Sequence, residues 1–502
     1  MKSTILNVTK KDVINVYDSF KSYIFKKAET NDMSFFNDIE TLVTWAYFFN
    51  FKYTDPDLEN LLRIKSHSLF GVVNVDQNSE NRFVIIDSNG QDNRGLTQQY
   101  LRALISLGKE IIYVYLNRNI NGISDILKEL NEYDKAKVVL FNEKNITNIE
   151  ICKIIIEEIK INKPAGIFLL LMPWDYISVL VCNAIKGVDI YNVNLTDHGF
   201  WLGSSILDYN IEFRPYGRTV SLEKRGLDKK CLLNLPYYPI ISKYETFNGF
   251  DGIPTDSIKI LTGGGFYKMY GRNDLFFHIM DALLSLSPKI VIIIAGDGNR
   301  QVIRERIRRL KNRDRIYLIG NRHDIAGVFK NIDIYLGTFP FPGGLMSQYA
   351  AYFSKPIAAF GSHDLINTDI EGLINHRENH VKTFYNISDI LKYVSKLVED
   401  VNFRISEGEK AKKSLMEKKT FETELDSLLK TKINSRYWKP VTIDYDAFFE
   451  MYLDINNNYT QGNIKYVLNR MGWRVFWIYP PFISKFIFLK ILRLKDILFK
   501  RK

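Results

Sequence analysis

Residues 258–298 read IKILTGGGFYKMYGRNDLFFHIMDALLSLSPKIVIIIAGDG. An apolar run ends in three glycines, a helical pattern occupies 273–287, and a second apolar run ends in Ala295-Gly296-Asp297-Gly298. Strand, glycine turn, helix, strand is the repeating unit of a parallel sheet. Three glycines let backbone amides come close to an anion, and the following helix N-terminus adds partial positive charge. Lys268, with Arg272 a helical turn further on, is placed to neutralise a diphosphate. Asp297 is read more simply as a helix cap.

The alternation continues downstream. RIYLIGN (315–321), IDIYLGTF (332–339) and PIAAFGS (356–362) read as strands, with helices at 299–312, 323–330 and 346–353. Two further loops follow strands on the same sheet edge. Gly320-Asn321-Arg322-His323-Asp324 opens a helix and offers side chains to a base or ribose. The segment Leu336 to Ser347 crosses the edge through Gly343 and Gly344 before a helix that starts near Met346. One glycine-rich turn is a weak signal. Four loops of anion-friendly chemistry on one edge are a stronger one.

A second alternating series lies upstream: RFVIIDS (82–88), IIYVYLN (111–117), KVVLF (137–141), GIFLLLM (166–172) and DIYNVNL (189–195). Residues 232–256, LLNLPYYPIISKYETFNGFDGIPTD, read as an interdomain linker. Residues 1–75 carry helical spacing, and 385–432 are helical and charged. The expected fold class is α/β, with two Rossmann-like domains facing across a cleft. The expected domains are a helical extension (1–75), an acceptor domain (76–245), a nucleotide-sugar domain (246–432) and C-terminal helices with a basic tail (433–502). Ligands of such sheets bind beyond the carboxyl ends of the strands.

The order GGGFYK, AGDG, a GN-x-HD turn and GTFPFPGG followed by AAYFSKPIAAFGS resembles the C-terminal half of GT-B glycosyltransferases. Within that class it looks most like the O-GlcNAc transferase and HMW1C-like family, and it also resembles bacterial polysaccharide glycosyltransferases. The resemblance covers about residues 258–365. It implies that Lys268 is the phosphate lysine, that Gly264, Gly265, Gly343, Gly344 and Ser347 line the diphosphate, that Phe341 is among the donor-binding residues, and that His323 or its neighbour lies near the uridine. It implies a UDP-sugar donor, with no separate cofactor. Where that family carries Thr-Thr and Asp, this chain has Leu345, Met346 and Tyr349. No glutamate lies between Gly337 and His363, so the Glu-x7-Glu signature of many retaining enzymes is missing and inversion is expected.

An inverting transferase needs a base for the acceptor hydroxyl. The candidates are Asp197 and His198, just past the strand DIYNVNL. The plainer alternative is a polar turn at an aromatic edge. Arg94 and Gly95, in the first glycine loop, are candidates for contact with donor or acceptor phosphate.

Charge and cysteine usage narrow the class. The net charge is +11, but residues 463–502 hold ten cations and the single acid Asp496, a balance of +9. Large apolar side chains alternate with Lys and Arg after Pro481, which fits a helix lying on anionic lipid through 480–502 and argues against nucleic acid. Three widely spaced cysteines, Cys152, Cys182 and Cys231, show no metal-ligand spacing. No metal site is expected, because no DxD pair ends a strand. The N-terminus lacks an apolar signal region, and no run reaches the length that spans a bilayer. The expected location is cytoplasmic, peripheral to the inner face of the membrane, with oligomerisation open.

The expected function is transfer of a hexosyl or N-acetylhexosaminyl group from a UDP-sugar to a hydroxyl of a glycan or lipid-linked glycan, in cell-surface polysaccharide assembly. Alternatives are a protein O- or N-glycosyltransferase, a non-catalytic GT-B scaffold subunit, and a sugar-nucleotide epimerase on the same fold.

Overall fold

The computed structural model describes residues 7–30, 32–76, 81–93, 96–141, 145–241, 246–481 and 483. Three helices come first: α1 (Lys10–Glu29), α2 (Phe35–Phe49) and α3 (Pro56–Phe70). A capping box of Thr9 and Asp12 starts α1, and Asp55 caps α3 ahead of its N-terminal proline. A two-residue strand β1 (Val73–Asn74) pairs in parallel with β6 (Ile185–Lys186).

The first alternating series is β2 (Arg82–Asp87), α4 (Thr97–Ser106), β3 (Glu110–Tyr115), α5 (Ser124–Asn131), β4 (Ala136–Leu140), α6 (Asn148–Asn162), β5 (Gly166–Leu170), α7 (Tyr176–Ala184), β7 (Asp189–Val193), β8 (Tyr209–Glu212), α8 (Pro215–Glu223) and β9 (Leu232–Asn234). Its sheet has the order β4-β3-β2-β5-β7-β8-β9, and every pairing is parallel.

The second series is β10 (Ile258–Gly265), α9 (Leu275–Leu286), β11 (Ile290–Asp297), α10 (Arg300–Arg308), β12 (Ile316–Gly320), α11 (Ile325–Lys330), β13 (Ile334–Leu336), α12 (Gly344–Tyr352), β14 (Ile357–Phe360), α13 (Glu371–Ile374) and β15 (Thr383–Phe384). Its order is β12-β11-β10-β13-β14-β15, again all parallel. The strands are buried on both faces, as their unbroken apolar runs require. Ile290, Ile292, Ile293 and Ile294 are all fully buried.

Each sheet reverses its strand order once, between β2 and β5 in the first and between β10 and β13 in the second. A crevice forms at such a switch point because the connections on either side leave in opposite directions.

Two features differ from the sequence expectation. Residues 232–234, assigned to the linker, form the edge strand β9. The strand β8 carries no apolar run, because its core-facing polar groups satisfy one another. Asn192 donates to Asn210 at 2.7 Å, Asn210 donates to Glu212 at 2.6 Å, and Asn194 donates to both Glu212 oxygens at 3.0 Å.

The chain then runs through α14 (Ile387–Glu399), α15 (Val401–Ser414), α16 (Lys418–Thr431), α17 (Tyr445–Asn458), α18 (Gln461–Met471) and α19 (Val475–Ile478). Helix α16, counted with the second domain in the sequence, lies against α4. Phe421 meets Tyr100 edge-on with centroids 5.3 Å apart. Helix α17 touches both halves. Asn457 exchanges two hydrogen bonds with Val8, at 3.0 and 2.9 Å, and Asn456 donates to Phe48 O at 2.6 Å. On its other side Ile455 faces Gly271, and Tyr459, just past the helix, stacks on Tyr270 at 5.3 Å.

Candidate functional site

The glycine turn after β10 is built by the pairing of two strand ends. Gly263–Gly265 run beside Ala295–Asp297. Gly263 has φ +154°, and a Cβ there would sit 1.8 Å from Ala295 O. Gly296 has φ +146°, and a Cβ there would sit 1.9 Å from Gly264 O. No other residue fits either position. A 3-10 turn, Phe266–Met269, follows. Phe266 and Met269 bury themselves in the core at 2% and 0% exposure, which turns Tyr267 and Lys268 outward. Among the described residues Lys268 has no acidic partner.

Across the switch point, α12 begins at Gly344, two residues earlier than the sequence suggested. No side chain caps it, and its first helical bond is Ser347 N to Gly343 O at 2.9 Å. The amides of Gly344, Leu345 and Met346 are therefore free of intrahelical partners. Gly264, Gly265, Lys268, Gly296, Gly343 and Gly344 all line one cavity of about 430 Å³. Its opposite wall comes from the first half of the chain and the linker: Asn93, Leu96, Leu195, Phe213 and Tyr237.

A wider groove of about 990 Å³ adjoins it, and the two share Asn93, Asn321, Arg322 and Ile325. Loops after β2, β3 and β5 line this groove with amides, among them Asn89, Gln91, Asn117, Asn119 and Asn121, together with Trp174 and Tyr176. Its carboxylates have structural work. Asp92 accepts from Ser124 Oγ and from the amides of Asp125 and Ile126 at 2.9–3.0 Å, Asp175 caps α7, and Glu40 pairs with Arg470 at 2.9 Å. Arg322 is held by Asp324 at 2.5 Å.

Asp197 and His198 belong to a buried network between β7 and α8. Arg214 binds Asp197 through Nε and Nη2, and His198 Nδ1 lies 3.3 Å from Asp197 Oδ1. Burial favours the protonated carboxyl, but the Arg214 guanidinium and His198 outweigh it and hold Asp197 well below the ordinary carboxylate range. Asp197 is thus an ionised partner, unsuited to accept a proton near neutrality. Arg225 fixes the same turn by donating to Thr196 O, Asp197 O and Gly199 O. Beneath it, burial pushes the carboxyl of Glu212 up to about 7, against the hydrogen bond from Ser221 and the charge of Arg225.

The remaining sequence candidates scatter. Arg272 does not line the cavity, because Asp364 takes its guanidinium at 2.5 Å. Ser347 is fully buried, turned toward Tyr335 beneath α12. Phe341 is 6% exposed and packs between Tyr267 and Tyr452. His323 lines the wider groove, not the glycine-walled cavity. Asp197 and His198 line neither; His198 lies beside Tyr47 of α2, ring centroids 6.2 Å apart. Arg94 and Gly95 lie outside the described residues, as do 482 and 484–502 of the basic tail.

One cavity residue and one neighbour of His198 escaped the sequence reading. Tyr237, from the linker, stands so close to the α12 N-terminus that a Cβ on Gly344 would fall 2.4 Å from its hydroxyl. Tyr47 comes from the helical extension, which carries no recognisable motif. The Tyr-Tyr pair inside the linker was the only visible hint of the first; nothing signalled the second.

No protein-family model matches the sequence, and no curated protein matches it. Solved structures do resemble the fold. A glycosyltransferase from Rickettsia africae ESF-5 superposes with a TM-score of 0.51 at 14% identity, over 70% of this chain and 98% of that one. A variant of the O-GlcNAc transferase from Thermobaculum terrenum superposes with a TM-score of 0.52 at 12% identity, over 88% of this chain and 83% of that one. Two parallel sheets of matching strand order, switch points opposed across a cleft, and these superpositions together show that the chain has the GT-B fold of glycosyltransferases.

Proposed function

We propose that the protein transfers a sugar from a nucleoside diphosphate donor, UDP-linked, to a hydroxyl of a glycan. One observation carries this reading: the uncapped N-terminus of α12 and Lys268, which has no acidic partner among the described residues, converge on one cavity. Free amides and an ammonium group together favour a diphosphate. A cavity of about 430 Å³ is of the size that small ligands occupy.

In the proposed reaction the acceptor oxygen attacks the anomeric carbon. The bond from that carbon to the β-phosphate oxygen breaks, and the diphosphate leaves with the electron pair. Lys268 and the α12 amides offset the charge that grows on the leaving group, so the scheme calls for no metal ion. His198 is the base we propose from the sequence, although it lines neither cavity. Ionised Asp197 accepts from its Nδ1, which leaves Nε2 for the acceptor proton. Attack from the face opposite the leaving group gives inversion.

The amide-rich groove supports a glycan acceptor, since Asn and Gln side chains donate to and accept from sugar hydroxyls while Trp174 offers an apolar face. Cell-surface polysaccharide assembly is the setting we assign. A second reading, a non-catalytic GT-B subunit, draws on Leu345, Met346 and Tyr349, apolar or aromatic side chains that line the cavity beside the amides. UDP release from a panel of UDP-sugars, compared with Lys268→Ala, separates the two: the enzyme releases UDP, the scaffold does not.

A further inference from the structure

The turn after α18 presents two tryptophans to solvent. Trp473 is 81% exposed and Trp477 is 86% exposed. The backbone between them is helical, with φ/ψ of −60°/−28° at Arg474 and −54°/−34° at Val475. Side chains four residues apart therefore leave on one side.

This turn is firmly seated. Met471, Val475 and Ile478 are buried in the core shared with α1 and α2. Arg474 bonds Asp38 at 2.6 Å, and Arg470 bonds Glu40 at 2.9 and 3.0 Å. Arg470 and Arg474 are thus spent on anchoring, and the anchoring aims the indoles outward. Tryptophan is on average a highly buried residue, so two of them projecting from a fixed turn mark a surface made to be covered.

The sequence around the pair selects what covers it. Pro480, Pro481 and Ile483, which follow the turn, are exposed. Residues 484–502 then contain Lys485, Lys490, Arg493, Lys495, Lys500, Arg501 and Lys502 against the one acid Asp496, interleaved with Phe, Ile and Leu. Indoles settle at the headgroup level of a bilayer, and clustered cations beside them attract anionic lipid. A protein interface would draw on a more even mix of charges at its rim than seven cations against one acid.

We infer that Trp473 and Trp477 form a docking surface for an anionic lipid bilayer. The surface shares no residue with the glycine-walled cavity and stands apart from the proposed chemistry. The test is flotation of the full-length protein with vesicles of phosphatidylcholine alone and of phosphatidylcholine mixed with phosphatidylglycerol. The protein floats with the anionic vesicles and stays behind with the neutral ones. Trp473→Ala combined with Trp477→Ala weakens the partition roughly tenfold or more, while the melting temperature is unchanged because both indoles are largely exposed to solvent. Equal flotation of variant and wild type overturns the inference, and so does equal binding to neutral vesicles. It is also overturned if the double variant instead dissociates an oligomer in light scattering, which assigns the indoles to a protein contact. UDP-induced stabilisation, measured on the same samples, reports separately on the cavity.

Discussion

Arg214 grips Asp197 through two hydrogen bonds, Nε to Oδ2 at 2.5 Å and Nη2 to Oδ1 at 3.0 Å. Both residues are buried, at 7% and 1% exposure. Removing the carboxylate leaves a guanidinium without its partner in the interior, a loss of about 3–5 kcal/mol. Asp197→Asn is predicted to melt well below the wild type and to lower turnover, because His198 loses its orienting acceptor. A variant that melts with the wild type contradicts the pairing.

The same network sets opposite pH dependences. Asp197 has a depressed pKa, so its contribution to stability is complete above the ordinary carboxylate value of 3.8 and fades only as pH falls toward the folded value. Glu212 is raised from 4.5 to about 7, so the unfolded chain gives up this proton first. Its contribution therefore declines as pH rises from about 4.5 to about 7 and is level above that. Glu212→Gln keeps the fold and is predicted to flatten the fall in melting temperature across this window. Unchanged pH dependence in that variant places the titrating group elsewhere.

Lys268 is predicted to matter for ligand and not for fold. A charge-assisted hydrogen bond is worth about 1.5–3 kcal/mol, so Lys268→Ala weakens UDP binding roughly ten- to a hundredfold. The unliganded variant melts with the wild type, since the lysine has no acidic partner among the described residues to strand. Calorimetry with UDP reads the first effect and a thermal melt the second.

Gly263 behaves in the reverse way. A methyl group there meets a backbone carbonyl that cannot move without separating β10 from β11. Gly263→Ala is predicted to destabilise by more than about 4 kcal/mol, in the exceptional range for one substitution, and to be recovered poorly in soluble form. Normal expression and melting of that variant would show that the two strand ends are more loosely joined than described.

Much of this was legible beforehand. The strands with unbroken apolar runs, such as Ile290–Ala295, announced a sheet buried on both faces, and the glycines at their ends announced a switch-point crevice. The strand β8 was silent because Asn210 and Glu212 are buried through side-chain pairing, which no hydropathy pattern records. The glycines and Lys268, read from the sequence, line one cavity because their positions depend on local backbone. Arg272, Ser347 and Phe341 were not, because their directions are set by distant partners: Asp364, Tyr335 and Tyr452. Tyr237 reaches the cavity only through the way the linker folds back on it, which no local spacing reveals.

The central claim is that the cavity at Lys268 and the α12 N-terminus holds a UDP-sugar for transfer. The most direct measurement is UDP release from a panel of UDP-sugars in the presence of mixed glycan acceptors, with Lys268→Ala as control. The predicted result is acceptor-dependent UDP release with at least one donor, lost in the variant. Interconversion of free UDP-sugars without acceptor, or no UDP release and no UDP-induced thermal shift with any donor, contradicts it.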